Sequence, residues 1–244
     1  MNPHEFRKMA EVEDRMWYYR ALHGHMLDAL RQTCSVSNEV CVLDAGCGTG
    51  GFLRGAQKQT PNWKWSGIDF SPMACELARQ RTTAEITKAS ITQLPFADAT
   101  FDAVTTADVI CQVDDPSRAF AEIYRVLKPG GIAVVNLPAY QWMLSYHDKA
   151  VNNKRRYSRD ELRAYLTMAG FTVTRVTHWN ALLFPMIYAR RKLFSSKAGA
   201  SDVKLFPASV ELLFRGVMSM EKGWLRLGAN WAWGAAVLAI ARKP

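Results

Sequence analysis

A chain of 244 residues with 49% hydrophobic side chains can bury one sizeable α/β core, and no apolar run approaches the roughly 20 residues that span a bilayer. The five cysteines, Cys34, Cys41, Cys47, Cys75 and Cys111, are an odd set without C-x-x-C spacing, which argues against a disulfide framework and a zinc site, so no metal is expected. A formal net charge of +9 favours anions without choosing among phosphates, nucleic acid and membrane, and the N-terminus lacks the blocks of a secretory signal, which points to the cytoplasm.

In chain order, a helix is expected from Val12 to Leu30, with Trp17, Tyr18, Leu22 and Met26 near one face. From Val40 to about Val135, short β-branched runs alternate with helical stretches, the pattern of a parallel sheet with crossover helices. Strands are expected at Val40–Asp44, Trp63–Ile68, Glu85–Ala89, Phe101–Thr106 and Gly131–Leu137. Ser71-Pro72 and Asp115-Pro116 each supply an N-cap and a first-turn proline, and Lys128-Pro129-Gly130-Gly131 stops the second of these helices. Ser158 and Glu161 form a capping box for a helix from Arg159 to Met168, which Ala169-Gly170 closes. Phe171–Thr177 alternates like a strand and Ala235–Ala241 reads as a buried one. If these two pair, His178–Trp233 is an insertion too long for a bare loop and should carry helices. Within it, the apolar 182–188 is followed by Arg190-Arg191-Lys192, which makes 182–192 a candidate for peripheral membrane contact.

The segment Val42-Leu43-Asp44-Ala45-Gly46-Cys47-Gly48-Thr49-Gly50-Gly51-Phe52 falls where the first strand turns into a helix. Glycines there permit close approach to a ligand and backbone with φ > 0. Gly46, Gly48 and Gly51 also fit the G-x-G-x-x-G spacing of dinucleotide sites, so two cofactor classes are open. Asp44, two residues before the first glycine, suits the cationic amino acid end of S-adenosylmethionine (SAM) and would repel a pyrophosphate. Asp69, after the second strand, suits a pair of ribose hydroxyls, which both cofactors carry.

Leu43 to Gly50 resembles the signature turn of class I SAM-dependent methyltransferases of the type 11 domain group. Leu94-Pro95-Phe96 followed by Phe101-Asp102-Ala103-Val104 resembles that family's fourth-strand segment, and Val126 to Gly131 the turn before its fifth strand. The resemblance implies one domain over 1–244, with a Rossmann-like, seven-stranded, mostly parallel sheet. An N-terminal helical lid would cover 1–35, a SAM-binding core 36–178, a helical insertion or cap 179–233 and the last strand 234–244. It also implies that Asp44, Gly46, Gly48 and Gly50 hold the methionine part, Asp69 the ribose and Phe70 the adenine, with Cys47, Ser90 and Ile91 in the same cofactor-binding set. Two positions depart from the family: Ser90 stands where an acidic residue is usual, and Gln112 where a histidine is common.

The methyl acceptor should lie beyond the carboxyl ends of strands four and five. His147 is the first-ranked candidate base, with Tyr140 and Asp108 beside it and Asp148 next to His147. Tyr146-His147-Asp148 to Arg155-Arg156-Tyr157-Ser158 resembles a segment of bacterial methyltransferases found alongside polyprenol, glycan and natural-product pathways, in which Asn153 replaces a histidine. Arg155, Arg156 and Tyr157 are thereby candidate substrate contacts, the guanidinium fork suiting phosphate or carboxylate. Trp17 and Tyr18 join them, because Glu13 to Arg20 resembles the family's aromatic lead-in over the cofactor mouth.

The expected activity is methyl transfer from SAM to O, N or C of a small, apolar, lipid-linked or natural-product acceptor. Another SAM-dependent alkyl transfer or cyclisation, and a degenerate binding module, stay open beside it. Nucleic acid is disfavoured as a partner, since no N-P-P-Y-type motif and no separate recognition domain is present.

Overall fold

The computed structural model describes residues 3–34, 39–193 and 203–244, so the expected lid boundary at 35/36 and the stretch 194–202 of the insertion lie outside the described residues. Strands β1 (Cys41–Ala45), β2 (Lys64–Asp69), β3 (Glu85–Lys88), β4 (Phe101–Ala107), β5 (Leu127–Pro138), β6 (Thr172–Trp179) and β7 (Ala236–Arg242) form one sheet in the order β3-β2-β1-β4-β5-β7-β6. β7 runs antiparallel between β5 and β6, and the other pairings are parallel. This is the expected Rossmann-like sheet. Its order reverses direction between β1 and β4, which opens a crevice at the carboxyl ends of those strands.

Helices α3 (Gly51–Gln59), α4 (Pro72–Arg81), α5 (Pro116–Val126) and α7 (Arg159–Met168) are the crossovers. Their starts follow the capping chemistry: Ser71 accepts from the Ala74 N–H at 3.3 Å, Asp115 from the Arg118 N–H at 3.0 Å, and Ser158 and Glu161 bond each other's backbone N–H. One apolar layer packs Phe120 and Ile123 of α5 and Leu162 and Leu166 of α7 on the sheet. The opposite layer buries Leu53 of α3 and Trp179 of β6 beneath the N-terminal helices.

Two expectations shift. The single helix from Val12 is instead α1 (Pro3–Val12) and α2 (Trp17–Thr33), with a break at 13–16. The break arises because Glu13 turns inward to bond Thr49 and Arg81, while the Trp17 N–H that opens α2 donates to Glu211 Oε2 at 2.8 Å. β5 begins four residues earlier than expected: its register against β4 jumps from Phe101↔Leu127 to Ala103↔Ile132, so the proline-glycine turn is an excursion within the strand. Between β6 and β7 the insertion carries α8 (Phe184–Leu193) and α9 (Ala208–Arg226), and α9 lies along α2. The short helix α6 (Tyr146–Val151) follows β5.

Candidate active site

The turn from β1 to α3 is shaped by its backbone. Gly46 has φ of +95°, and a Cβ there would fall 2.1 Å from Val109 Cγ2, so only glycine fits. The Gly46 and Cys47 N–H groups both donate to the Ile68 carbonyl at 2.8 Å, binding the turn to the end of β2. Asp69 completes the joint: its Oδ2 accepts from the Gly48 N–H at 3.0 Å and its Oδ1 from the Ser71 N–H at 2.8 Å. Each carboxylate oxygen still has a lone pair for a further donor, as a pair of ribose hydroxyls requires.

A cavity of about 900 Å³ lies over this turn, near the upper limit of roughly 1,000 Å³ for small-molecule sites. Asp44, Gly46, Cys47, Gly48 and Asp69 line it on one side, with Phe70, Ser90 and Ile91 beyond them. Asp44 is buried and accepts from Thr105 Oγ1 at 2.8 Å. Burial pushes its carboxyl up to about 7, the Thr105 bond opposing and the charges of Asp69 and Glu13 adding. A cation beside it would be stabilised and a pyrophosphate repelled, so these residues fit the amino acid end of SAM. Phe70 is 76% exposed at the rim, where an adenine ring can stack on it. Ser90 bonds locally, to Thr92 Oγ1 at 2.7 Å. Gly50, expected beside the methionine part, is not in the cavity wall: its φ of +82° starts α3, and its α-carbon backs onto Ala78 of α4.

Across the cavity, β4 is followed at once by Asp108, a non-glycine residue at φ of +57°. Its Oδ2 accepts from the Tyr18 hydroxyl at 3.2 Å and its Oδ1 from Asn136 Nδ2 at 3.0 Å, and Asn136 in turn accepts from Trp179 Nε1 at 2.7 Å. Burial raises the Asp108 carboxyl to about 6, against those two bonds and the positive charge of Arg156. The same burial and the Asp108 charge push the Tyr18 phenol well above its ordinary value, so it is a neutral donor. A left-handed backbone held by a hydrogen-bonded network that reaches from the cavity into the core is strain of the kind that concentrates at functional sites. Trp17 and His147 line this part of the cavity as well.

Three other expected contacts lie outside the cavity wall, and a fourth, Arg156, borders it with its charge already paired. Tyr140 sits at φ of +62°, which turns its ring onto His178, with its hydroxyl 3.3 Å from His178 Nε2 and outside the cavity wall. Arg156 borders the cavity but is a buried clamp: Nε and Nη2 donate to the two oxygens of Asp148 at 2.9 and 3.0 Å, and Nη1 to the Ala139 carbonyl at 3.1 Å. That pairing, with Asn153, outweighs burial and holds the Asp148 carboxyl below its ordinary value. Arg155 turns to the Asp114 carbonyl at 3.2 Å, outside the cavity. Tyr157 is buried in the core, its backbone bonding Pro138 and Tyr140.

The structure adds groups that sequence reasoning missed. Glu13 is the hub of a clasp in which the Thr49 hydroxyl and the Arg81 guanidinium both donate to its Oε1, tying the N-terminal helices to the glycine turn. Glu13 lay inside the recognised lead-in, but Arg81, 68 residues away, carried no signal. Asn136 and Trp179 had none either, and Arg190 and Arg191 reach the cavity wall where Arg155 does not. Among the described residues there is no group of three or more His, Cys, Asp or Glu side chains that could hold a metal.

Residues 43–135 match the family model described as a methyltransferase domain, the class I SAM-dependent group that the glycine turn resembles. Over 127 residues, half of this chain, it is 35% identical to cycloartenol-C-24-methyltransferase 1 of Oryza sativa subsp. japonica, of which it covers 36%. Over 98 residues, 37% of this chain, it is 42% identical to demethylmenaquinone methyltransferase of Symbiobacterium thermophilum, of which it covers 39%. The chain thus spans well under half the length of these two relatives. A chain from the Haloferax volcanii complex containing the Trm112 methyltransferase activator shares the fold with a TM-score of 0.63 and 22% identity, covering 98% of each chain.

Proposed function

We propose that the protein transfers a methyl group from SAM to an O, N or C atom of a small apolar or lipid-linked acceptor. One observation carries the reading: a single cavity opens both on the Asp44–Gly48–Asp69 cradle and on the half-buried Tyr18–Asp108 pair. Bound SAM would supply a methyl already activated on a sulfonium. The protein's part is then to align the acceptor, exclude water and, for a protic acceptor, take a proton. Asp108, whose carboxyl ionises at about 6, is largely a carboxylate at neutral pH and can accept that proton once an acceptor hydroxyl replaces Tyr18 as its donor. His147 is the second candidate base, and the clasped helices α1 and α2 would form the lid.

Met186, Phe206, Trp17 and Met26 give the acceptor side an apolar wall, which suits an isoprenoid-like body. The sterol and quinone named for the two curated relatives agree with that chemistry. An apolar acceptor would be met at a membrane, with 182–192 as one point of contact and the protein otherwise cytoplasmic.

Calorimetry with S-adenosylhomocysteine (SAH) tests the cofactor half: Asp69→Ala or Gly48→Val should weaken binding at least about tenfold, roughly 1.4 kcal/mol. Unchanged affinity rejects the site. Mass spectrometry of extracts incubated with protein and SAM tests the reaction, with SAH and a methylated metabolite expected. Methylthioadenosine would instead indicate aminocarboxypropyl transfer.

A further inference from the structure

Helix α9 packs one side along α2 and turns the other to solvent. On the outer side Leu212, Leu213, Met220, Trp224 and Leu227 are between 58% and 88% exposed. At about 100° per residue these positions, with Gly216 and Gly223 between them, fall in an arc of about 120° that contains no charged residue. Singly exposed apolar residues are ordinary, but an apolar strip about 23 Å long marks an interaction surface. At its C-terminal end Trp224, Trp231 and Trp233 form a cluster, with successive rings 5.9 and 6.3 Å apart.

The charge beside this strip is net positive. The two acids of α9, Glu211 and Glu221, are buried. Glu211 accepts the N–H groups of Trp17 and Phe206, and Glu221 those of Asn180, Ala181 and Leu182. The remaining charged side chains of the helix are Arg215, Lys222 and Arg226, with Asp28 of α2 pairing with the last two. The exposed surface of α9 is therefore apolar and net cationic.

We propose that this face of α9, with its tryptophan cluster, docks the protein on an anionic phospholipid surface, the helix lying in the plane of the interface. Tryptophan rings favour the headgroup level, cationic flanks favour anionic lipid, and an amphipathic helix with an uncharged outer face buries it among acyl chains. A second copy is the weaker occupant, because antiparallel pairing of α9 with itself would bring the cationic edges of both copies, Arg215, Lys222 and Arg226, together. Spanning is excluded for α9, since no helix among the described residues is long and apolar enough to cross a membrane. The inference goes beyond methyl transfer and makes α9 the main docking surface, with 182–192 a lesser contact.

Flotation of the full chain with vesicles tests it directly. Wild type should float with phosphatidylcholine vesicles holding about 30% phosphatidylglycerol, and at least about fivefold less with pure phosphatidylcholine. The surface double variant Leu213→Glu/Met220→Glu should lose at least about tenfold of that binding while keeping its melting temperature and SAH affinity. Failure of wild type to float, undiminished flotation of the double variant, or equal loss caused by Met186→Glu alone would each overturn the proposal. So would sedimentation showing a wild-type dimer that the double variant dissolves without any vesicle binding. Because SAH affinity is measured separately, a failed docking surface and a failed cofactor site give different results.

Discussion

Asp44 offers a quantitative test of the cofactor site, because its carboxyl is poised at about 7 by burial and its expected partner is a cation. The α-ammonium of SAH stays protonated through the neutral range, so only the aspartate changes charge there. For a group ionising near 7, the ionised fraction rises from about 0.1 at pH 6 to about 0.9 at pH 8, so the SAH association constant should rise about tenfold, or ~1.4 kcal/mol. Titration calorimetry at intervals across that range would show the rise and then a plateau. Asp44→Asn keeps an acceptor for Thr105 but removes the charge, and should bind SAH with no such slope, at or below the wild-type affinity at pH 6. The same group has a second signature without ligand. Its folded value lies above the ordinary 3.8, so the folded state holds the proton more tightly, and ligand-free stability should fall as pH rises from about 4 to about 7. SAH-induced stabilisation should grow over the upper part of that window. A wild-type affinity flat from pH 6 to 8, or an equal slope in Asp44→Asn, would refute the placement of a cation against this carboxylate.

Three further outcomes follow from the geometry. Arg156→Ala should cost about 3–5 kcal/mol in urea unfolding, since it strands the buried Asp148, while Arg155→Ala should stay within about 0.5 kcal/mol; equal small losses would remove the clamp. Gly46→Ala should cost about 2–4 kcal/mol from positive φ and collision with Val109, and adding Val109→Ala should recover about 1 kcal/mol of it; full additivity would show that the contact is not made. Tyr18→Phe removes a donor to Asp108, so carboxyl-carbon NMR should find that group titrating above about 6, and an unmoved titration would mean the bond is absent in solution.

That the residues proposed to cradle the cofactor line one cavity was legible in the sequence, because they are local. Asp44, Gly46 and Gly48 occupy one strand-to-helix turn, and Asp69 ends the neighbouring strand, so chain order alone placed them together. The acceptor half was not. Arg155 and Arg156 are the same residue type side by side, yet one lies at the surface and the other is buried against Asp148, a difference that no spacing records. Tyr140 follows β5 as expected, but its left-handed backbone sends the ring to His178. Gly50 belongs to the recognised turn and is held there by packing against α4 rather than by the cavity.

Residue order alone determined the alternation of strands and helices, the capping of α4, α5 and α7, and the bend at the end of β1. These depend on propensities and hydrogen bonds within a few residues of one another. Only tertiary structure decided that Glu13 meets Arg81, that Tyr18 reaches Asp108, and that α9 turns an apolar face outward. The first two contacts join side chains 68 and 90 residues apart, and Arg226 of α9 meets Asp28 of α2 across 198, distances over which no local propensity acts.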